Sequence, residues 1–283
     1  MDQRIINLYD EYTHKPLSRQ VFLKQLAILA GGTAAAMSLL PLLESCAPIK
    51  QTSTTELFTE RITYPGVNGN MNAYIARPEK DKKYAAVMVI HENRGLNPHI
   101  EDVARRAAQA GFLAIAPDAL SPQGGTPTDT DKARDLFTKL DAAANLQNFI
   151  KGFDYVKTRK DCNGNFGCVG FCWGGGLANQ LAVNDPRLKA AVAFYGAQPK
   201  AEDVPKIKAA VQLHYGGLDE RINAGIPAYE AALKEAKIDY ELYVYEGVNH
   251  AFHNDTSPAR YNEAAAKLAW QRTVNFFHNH LKS

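Results

Sequence analysis

The chain reads as an α/β protein, a mostly parallel sheet with helices on both faces. Short apolar runs and helical patterns alternate along most of its length. Runs such as Ala85-Ala86-Val87-Met88-Val89-Ile90 are continuous rather than alternating, as strands covered on both faces require. The polar residues with chemistry to offer, Glu92, Asp118, Cys172, Asp219 and His250, each fall just after such a run. Open α/β sheets place their sites at those strand ends.

The 283 residues suit one large α/β domain or two smaller ones. Net charge is +2 and no run of Lys or Arg forms a stripe, which argues against a nucleic-acid partner. Four cysteines, Cys46, Cys162, Cys168 and Cys172, are too few for a disulfide-built scaffold. No internal repeat is present.

Residues 1–50 differ in character and are set aside from the fold as an export leader, with 51–283 as a single catalytic domain. Met1 to Leu17 is polar and mixed in charge. Ser18-Arg19-Gln20-Val21-Phe22-Leu23-Lys24 and the apolar stretch Leu26 to Leu43 resemble a twin-arginine export signal, with Gln20 where the second arginine belongs. Leu43-Glu44-Ser45-Cys46 resembles a lipoprotein box, which makes Cys46 a lipidation candidate. The stretch also approaches the length of a membrane anchor. Each version places the domain outside the cytoplasm, periplasmic or tethered to a membrane. In an oxidising compartment the spacing of Cys162 and Cys168 permits a disulfide.

After a Thr/Ser/Gln linker over Gln51–Thr55, two strands, Leu57–Tyr64 and Met71–Arg77, flank a Pro/Gly/Asn turn. Ala85–Ile90 is a central strand and ends at His91-Glu92-Asn93-Arg94. Pro98–Ala110 has helical spacing and stops at Gly111. Phe112–Ala116 is a strand ending in Pro117-Asp118, where Asp118 fits a turn cap. Asp131–Leu140 and Asp141–Val156 are helical. Phe166–Phe171 is a buried strand, followed by a helix from Leu177. Ala190–Tyr195, Ala209–His214 and Tyr240–Tyr245 are further strands. Ala224–Ala236 and Pro258–Leu281 are helices.

Gly170-Phe171-Cys172-Trp173-Gly174 joins a strand to a helix through a turn with one reactive residue and glycine two positions either side. This is the G-x-nucleophile-x-G elbow, with cysteine in the serine position. The following helix N-terminus favours a thiolate and a developing oxyanion. Downstream, in the order nucleophile, acid, histidine, come Asp219 after one strand and His250 after the last. His250 fits a base acting on the thiol, and Asp219 fits the carboxylate that fixes the imidazole tautomer. The remaining histidines have plainer readings. His214 is a strand-end core residue, His278 and His280 lie at a solvated helix end, and His99 and His253 flank the site loops. The three cysteines from Cys162 to Cys172 do not make a paired metal-binding pattern, and no metal or organic cofactor is expected.

The elbow Gly170-Phe171-Cys172-Trp173-Gly174-Gly175, the His91-Glu92 pair, Gly216-x-x-Asp219 and His250-Ala251-Phe252-His253 together resemble the dienelactone hydrolase family, from about Leu57 to the C-terminus. The resemblance implies an α/β-hydrolase fold and hydrolysis of lactones or activated esters through a cysteine acyl-enzyme. It implies Cys172 as nucleophile, His250 as base, Asp219 as its orienter, and Glu92 in contact with the resting thiol. It also implies an oxyanion hole from the backbone N–H groups of Trp173 and Asn93. A plainer reading pairs Glu92 with Arg94. Family members acting on dienelactone hold its carboxylate with arginines, one of them four residues after the histidine; here that residue is Asn254. Arg94, Arg260 and His253 are the substrate-binding candidates instead. An acyltransferase or thioesterase with the same residues, or a tethered binding protein without catalysis, are the rival readings.

Overall fold

The strands that sequence patterning marks as doubly covered are the ones most completely enclosed. In the computed structural model, which describes residues 1–44 and 56–282, they form one eight-stranded sheet. The strands are β1 (Leu57–Pro65), β2 (Asn70–Pro78), β3 (Tyr84–Ile90), β4 (Leu113–Pro117), β5 (Cys162–Phe171), β6 (Leu188–Phe194), β7 (Ala210–Gly216) and β8 (Tyr240–Tyr245). Their order is β1-β2-β4-β3-β5-β6-β7-β8. β1 and β2 form an antiparallel hairpin, and β2 pairs antiparallel with β4. Every other pairing is parallel. All residues of β3, β4 and β7 are buried, which accounts for the unbroken apolar runs of β3 and β4, while β7 also encloses Gln212 and His214.

The parallel set starts at β3, steps outward to β4, then returns across β3 to β5. That reversal opens a crevice between the carboxyl ends of β3 and β5, which are paired at Ile90 and Gly170. His91 and Glu92 leave one strand there and Cys172 leaves the other.

The helices are α1 (Gln3–His14), α2 (Arg19–Ala30), α3 (Thr33–Glu44), α4 (Pro98–Gln109), α5 (Thr130–Phe137), α6 (Ala142–Lys157), α7 (Trp173–Asn184), α8 (Glu220–Asn223), α9 (Ile226–Glu235) and α10 (Glu263–His280). Two buried clusters, one on each face of the sheet, form the core. Met88, Phe149, Phe153 and Leu181 belong to one. Val87, Val103, Phe194 and Phe277 belong to the other. Helix starts follow local chemistry. Asn97 accepts from Ile100 N–H ahead of Pro98, and Asp141 accepts from Ala144 N–H.

Three expected elements differ in extent. β5 begins at Cys162, four residues before Phe166. Cys162 and Cys168 are therefore six residues apart on one strand, roughly 20 Å, beyond disulfide reach. Both are free thiols. The helix expected over Ala224–Ala236 is α9, Ile226–Glu235, with Pro227 in its first turn, and the four-residue α8 precedes that span. The terminal helix begins at Glu263, where the Asn262 side chain caps Ala265 N–H.

The largest departure is at the N-terminus. Residues 1–44 form three helices that share a core of Leu8, Tyr9, Tyr12, Phe22, Leu26 and Leu40. α1 lies against the sheet's carboxyl edge. Among the described residues no single helix is long and apolar enough to cross a membrane; α2 and α3 pass that test only as a pair, bent by 111°. Cys46 and the linker Gln51–Thr55 lie outside the described residues.

Steric constraint concentrates at the elbow. Cys172 has φ 56° and ψ −115°. A Cβ on Gly170 would overlap the Gly174 carbonyl, and one on Gly174 would sit 2.5 Å from the carbonyl oxygens of Ile90 and His91. Neither obstacle is a flexible side chain, so Gly170→Ala should destabilise by about 3 kcal/mol or more, or prevent soluble folding, in chemical denaturation against wild type.

Acid stability should follow from two enclosed histidines. Burial, aided by Arg272, pushes His214 down to about 3, and burial with His99 holds His253 well below the ordinary range. The unfolded chain protonates these rings below about pH 6.5 while the folded chain does not. The His214 contribution is thus present above that pH and is lost as pH falls toward 3, by about 1.4 kcal/mol per pH unit, and His253 acts in the same direction. Denaturation midpoints at pH 7 and 5.5 should show this slope, and His214→Gln should flatten it.

Candidate active site

Cys172 ends β5 and precedes the first turn of α7, and its N–H donates to Phe194 O at 3.0 Å. Its left-handed φ is one of four among the described non-glycine residues. Two others, Tyr195 at 40° and Ala251 at 61°, belong to segments beside it. Backbone strain of this kind gathers where a fold over-determines a working geometry.

Asp219 follows β7 and caps α8, its Oδ1 accepting from Ile222 N–H at 3.3 Å. Its other oxygen, Oδ2, accepts from His250 Nδ1 at 2.5 Å. Because Nδ1 faces a carboxylate it carries the proton, leaving Nε2 as the lone-pair nitrogen. His250 Nε2 is buried and has no hydrogen-bond partner. The ring packs 4.8 Å from Tyr195 and edge-on at 4.8 Å to a second histidine, His14.

His14 is the residue that sequence reasoning missed. It is the last residue of α1, and its Nε2 lies 3.0 Å from Cys172 Sγ. Its Nδ1 faces the Asp10 carbonyl at 2.8 Å and Asp10 Oδ1 at 3.2 Å. Burial works against its protonated form, but Cys172 and Asp10 outweigh it and hold the imidazole above its ordinary value. Setting residues 1–50 aside as a leader hid it. The available signal was Asp10 and His14 four apart in Tyr9-Asp10-Glu11-Tyr12-Thr13-His14, one helical turn that aligns carboxylate and imidazole.

Polar contacts seat α1. Asn93 Nδ2 donates to Thr13 O at 2.7 Å, and Gln3 Nε2 donates to Asn249 Oδ1 at 2.6 Å. Tyr12 Oη donates to Asp131 Oδ1 at 2.9 Å, and Arg134 lies 4.2 Å over the Tyr12 ring. Arg221 reaches Asp10 Oδ2 at 3.3 Å. Arg260 stands 3.9 Å from Asp10 Oδ1 and 5.1 Å over the Tyr9 ring.

Glu92 is buried, but its hydrogen bonds run elsewhere than expected. Oε1 accepts from Tyr195 Oη at 3.3 Å and Oε2 from Asn254 Nδ2 at 2.8 Å. The resting thiol meets His14, and Arg94 is not paired to Glu92. Asn254, in place of an arginine, serves as the carboxylate's donor. His253 also departs from expectation. The chain turns at Ala251, so His250 faces the crevice while His253 stacks under the elbow, 4.9 Å from Phe171 and 5.7 Å from Trp270. It is a core residue. Trp173 and Asn93 both line the crevice with Cys172. Arg94 and Arg260 border a small recess beside Cys172 and His250, and Arg94 Nη1 is buried without a partner.

The plainer readings of Asp118, His214 and His278 are borne out. Asp118 accepts from Leu120 N–H, Thr126 N–H and Thr126 Oγ1, closing a turn. His214 is enclosed beside Tyr245 Oη and Gln212 Oε1. His278 is exposed at the end of α10.

A cavity of about 870 Å³ opens above the elbow. Trp173, Phe137 and Leu17 supply apolar walls, and Arg19, Arg134 and Arg221 add positive charge. The ligand atoms of Cys172, His14 and His250 all lie within 4.8 Å of one another. A soft divalent ion could chemically use such a set. The same set can equally move protons to and from one sulfur.

A sequence profile of the dienelactone hydrolase family matches residues 71–281. A protein of Escherichia coli O157:H7 named "Putative carboxymethylenebutenolidase" is 34% identical, covering 81% of this chain and 90% of its own length. A Methylorubrum extorquens protein of the same name is 28% identical and covers 93% of this chain, so that alignment extends into the first fifty residues. The crystal structure of a "Putative Dienelactone Hydrolase" from Klebsiella pneumoniae subsp. pneumoniae superposes with a TM-score of 0.72 at 31% identity. It covers 79% of this chain and 99% of its own. With the eight-stranded sheet and its elbow, these likenesses place the chain in the dienelactone hydrolase family, hydrolases of the α/β-hydrolase fold.

Proposed function

We propose that the protein hydrolyses lactones or activated carboxylic esters through a thioester on Cys172. The observation that carries this reading is the convergence of a strained elbow cysteine with a buried, unpartnered His250 Nε2 whose opposite nitrogen is held by Asp219.

The chemistry follows from these positions. The thiol loses its proton to a neighbouring imidazole, and the sulfur attacks the substrate carbonyl carbon. The oxyanion develops beside the N-terminus of α7, where the Trp173 N–H and the helix dipole oppose its charge. Collapse breaks the C–O bond, and the leaving oxygen takes the proton the imidazole holds. A water then gives a proton to His250 Nε2 and adds to the thioester. The second collapse releases the carboxylic acid, and the sulfur recovers its proton. Asp219 keeps the His250 lone pair on Nε2 and steadies its protonated form. Asn93, on the other wall, is the second oxyanion donor by family analogy.

The cavity suits a small substrate with an apolar body and a polar edge, because aromatic walls face paired arginines and aspartates. With Asn254 in the position four residues after His250 and committed to Glu92, no arginine stands there to hold a carboxylate as dienelactone would require. The proposal is therefore for lactones and activated esters as a class.

On an aryl-ester and lactone panel, Cys172→Ala should lower kcat/KM by roughly three orders of magnitude or more. Full activity in that variant would refute the thioester reading. Asp219→Asn should lower kcat by roughly 10²–10⁴-fold with a small change in KM, because it misplaces the His250 proton rather than the substrate.

A further inference from the structure

We propose that His14, delivered by α1 and oriented by Asp10, is a catalytic residue that takes the Cys172 proton, leaving His250 to serve the water of the second half-reaction. This rests on the thioester reading above and deepens it.

Two histidine–aspartate pairs converge on one sulfur. His250 Nδ1 faces the Asp219 carboxylate, and His14 Nδ1 faces the Asp10 backbone carbonyl at 2.8 Å with the Asp10 carboxylate at 3.2 Å, so in each the lone pair sits on Nε2. Only one of the two Nε2 atoms is in hydrogen-bond contact with the thiol. His14 Nε2 is 3.0 Å from Sγ, whereas His250 Nε2 has no partner. A base must first be within reach of the proton it removes, and that criterion selects His14 for the thiol. The vacant His250 nitrogen, buried and aimed at the crevice, is the acceptor left for water.

The balance closes. Cys172 S–H passes its proton to His14 Nε2, giving a thiolate and an imidazolium whose Nδ1–H remains on Asp10. After attack and collapse, the His14 proton goes to the leaving oxygen. Water's proton passes to His250 Nε2 and then to the sulfur released from the thioester.

The surroundings suit the assignment. His14 faces Asp10 on its own helix, Cys172 from the elbow, His250 from the β8–α10 loop, and Glu92 and Arg94 from the β3–α4 loop. Arg221 after β7 and Arg260 before α10 hold the Asp10 carboxylate. Lys15, the next residue, is paired to Glu11. α1 is a seated element rather than a loose extension, as its contacts to Asn93, Asn249 and Asp131 show. The proposal requires that the working enzyme keep its first fourteen residues.

The test measures the thiol separately from turnover. In full-length protein, with intact mass confirming that α1 is present, the rate of Cys172 alkylation by iodoacetamide is followed from pH 5 to 9.5. Wild type should react with little pH dependence through the neutral range. His14→Gln should slow alkylation at pH 6.5 by roughly tenfold or more and move the profile toward that of an ordinary thiol near 8.5. Asp10→Asn should move it the same way by less. His250→Gln should keep near-wild-type alkylation, lose turnover and accumulate the acyl-enzyme by mass. Circular dichroism and thermal melts check that each variant folds. If His14→Gln alkylates as wild type does, or turns over ester faster, the assignment is overturned. Activity in Cys172→Ala would instead refute the underlying nucleophile reading, whatever the alkylation profile.

Discussion

Everything in this molecule that bears on chemistry depends on one tight approach of backbone to backbone. For Cys172 to stand at the end of β5, the strand must turn into α7 within a single residue. The turn leaves no room for side chains at Gly170 and Gly174. β3 must lie alongside, since the obstacle at Gly174 is the carbonyl pair of Ile90 and His91. The sheet order supplies that neighbour by bringing the chain back across β3 to reach β5. Sulfur, helix terminus and the Glu92 loop are thus fixed by the same contact.

The fold was largely legible because its signals are local. Continuous apolar runs mark β3 and β4. Glycine two residues either side of Cys172 marks the elbow. Asp219 and His250 could be assigned because each follows a strand in the chain order that the sheet brings together. What failed was what local pattern does not encode. Nothing in His253 itself distinguishes it from His250; the turn at Ala251 sends one into the crevice and the other into the core. Glu92 was placed on the thiol by analogy, whereas Tyr195 and Asn254 hold both its oxygens. The four-residue α8 is too short to leave a periodic signal.

The N-terminal segment shows a different limit. Its apolar composition reads as a leader, and composition alone does not reveal that Tyr9, Tyr12 and Phe22 close on one another. Nor does it reveal that Asp10 lies between two arginines 211 and 250 positions away in sequence. Long-range ion pairs leave no periodic trace. Residues 1–17 were therefore legible as polar and mixed in charge but not as a helix that joins a site.

The three described thiols, Cys162, Cys168 and Cys172, lie within eleven positions of one another on the elbow strand and its end, yet they are not chemically equivalent. Burial raises Cys162, and raises Cys168 far more, so both stay protonated and enclosed at neutral pH. Of the three, Cys172 is the one that lines the crevice. An electrophile or mild oxidant entering the crevice thus finds one addressable sulfur among them, and a single covalent adduct there would occupy the space above the elbow.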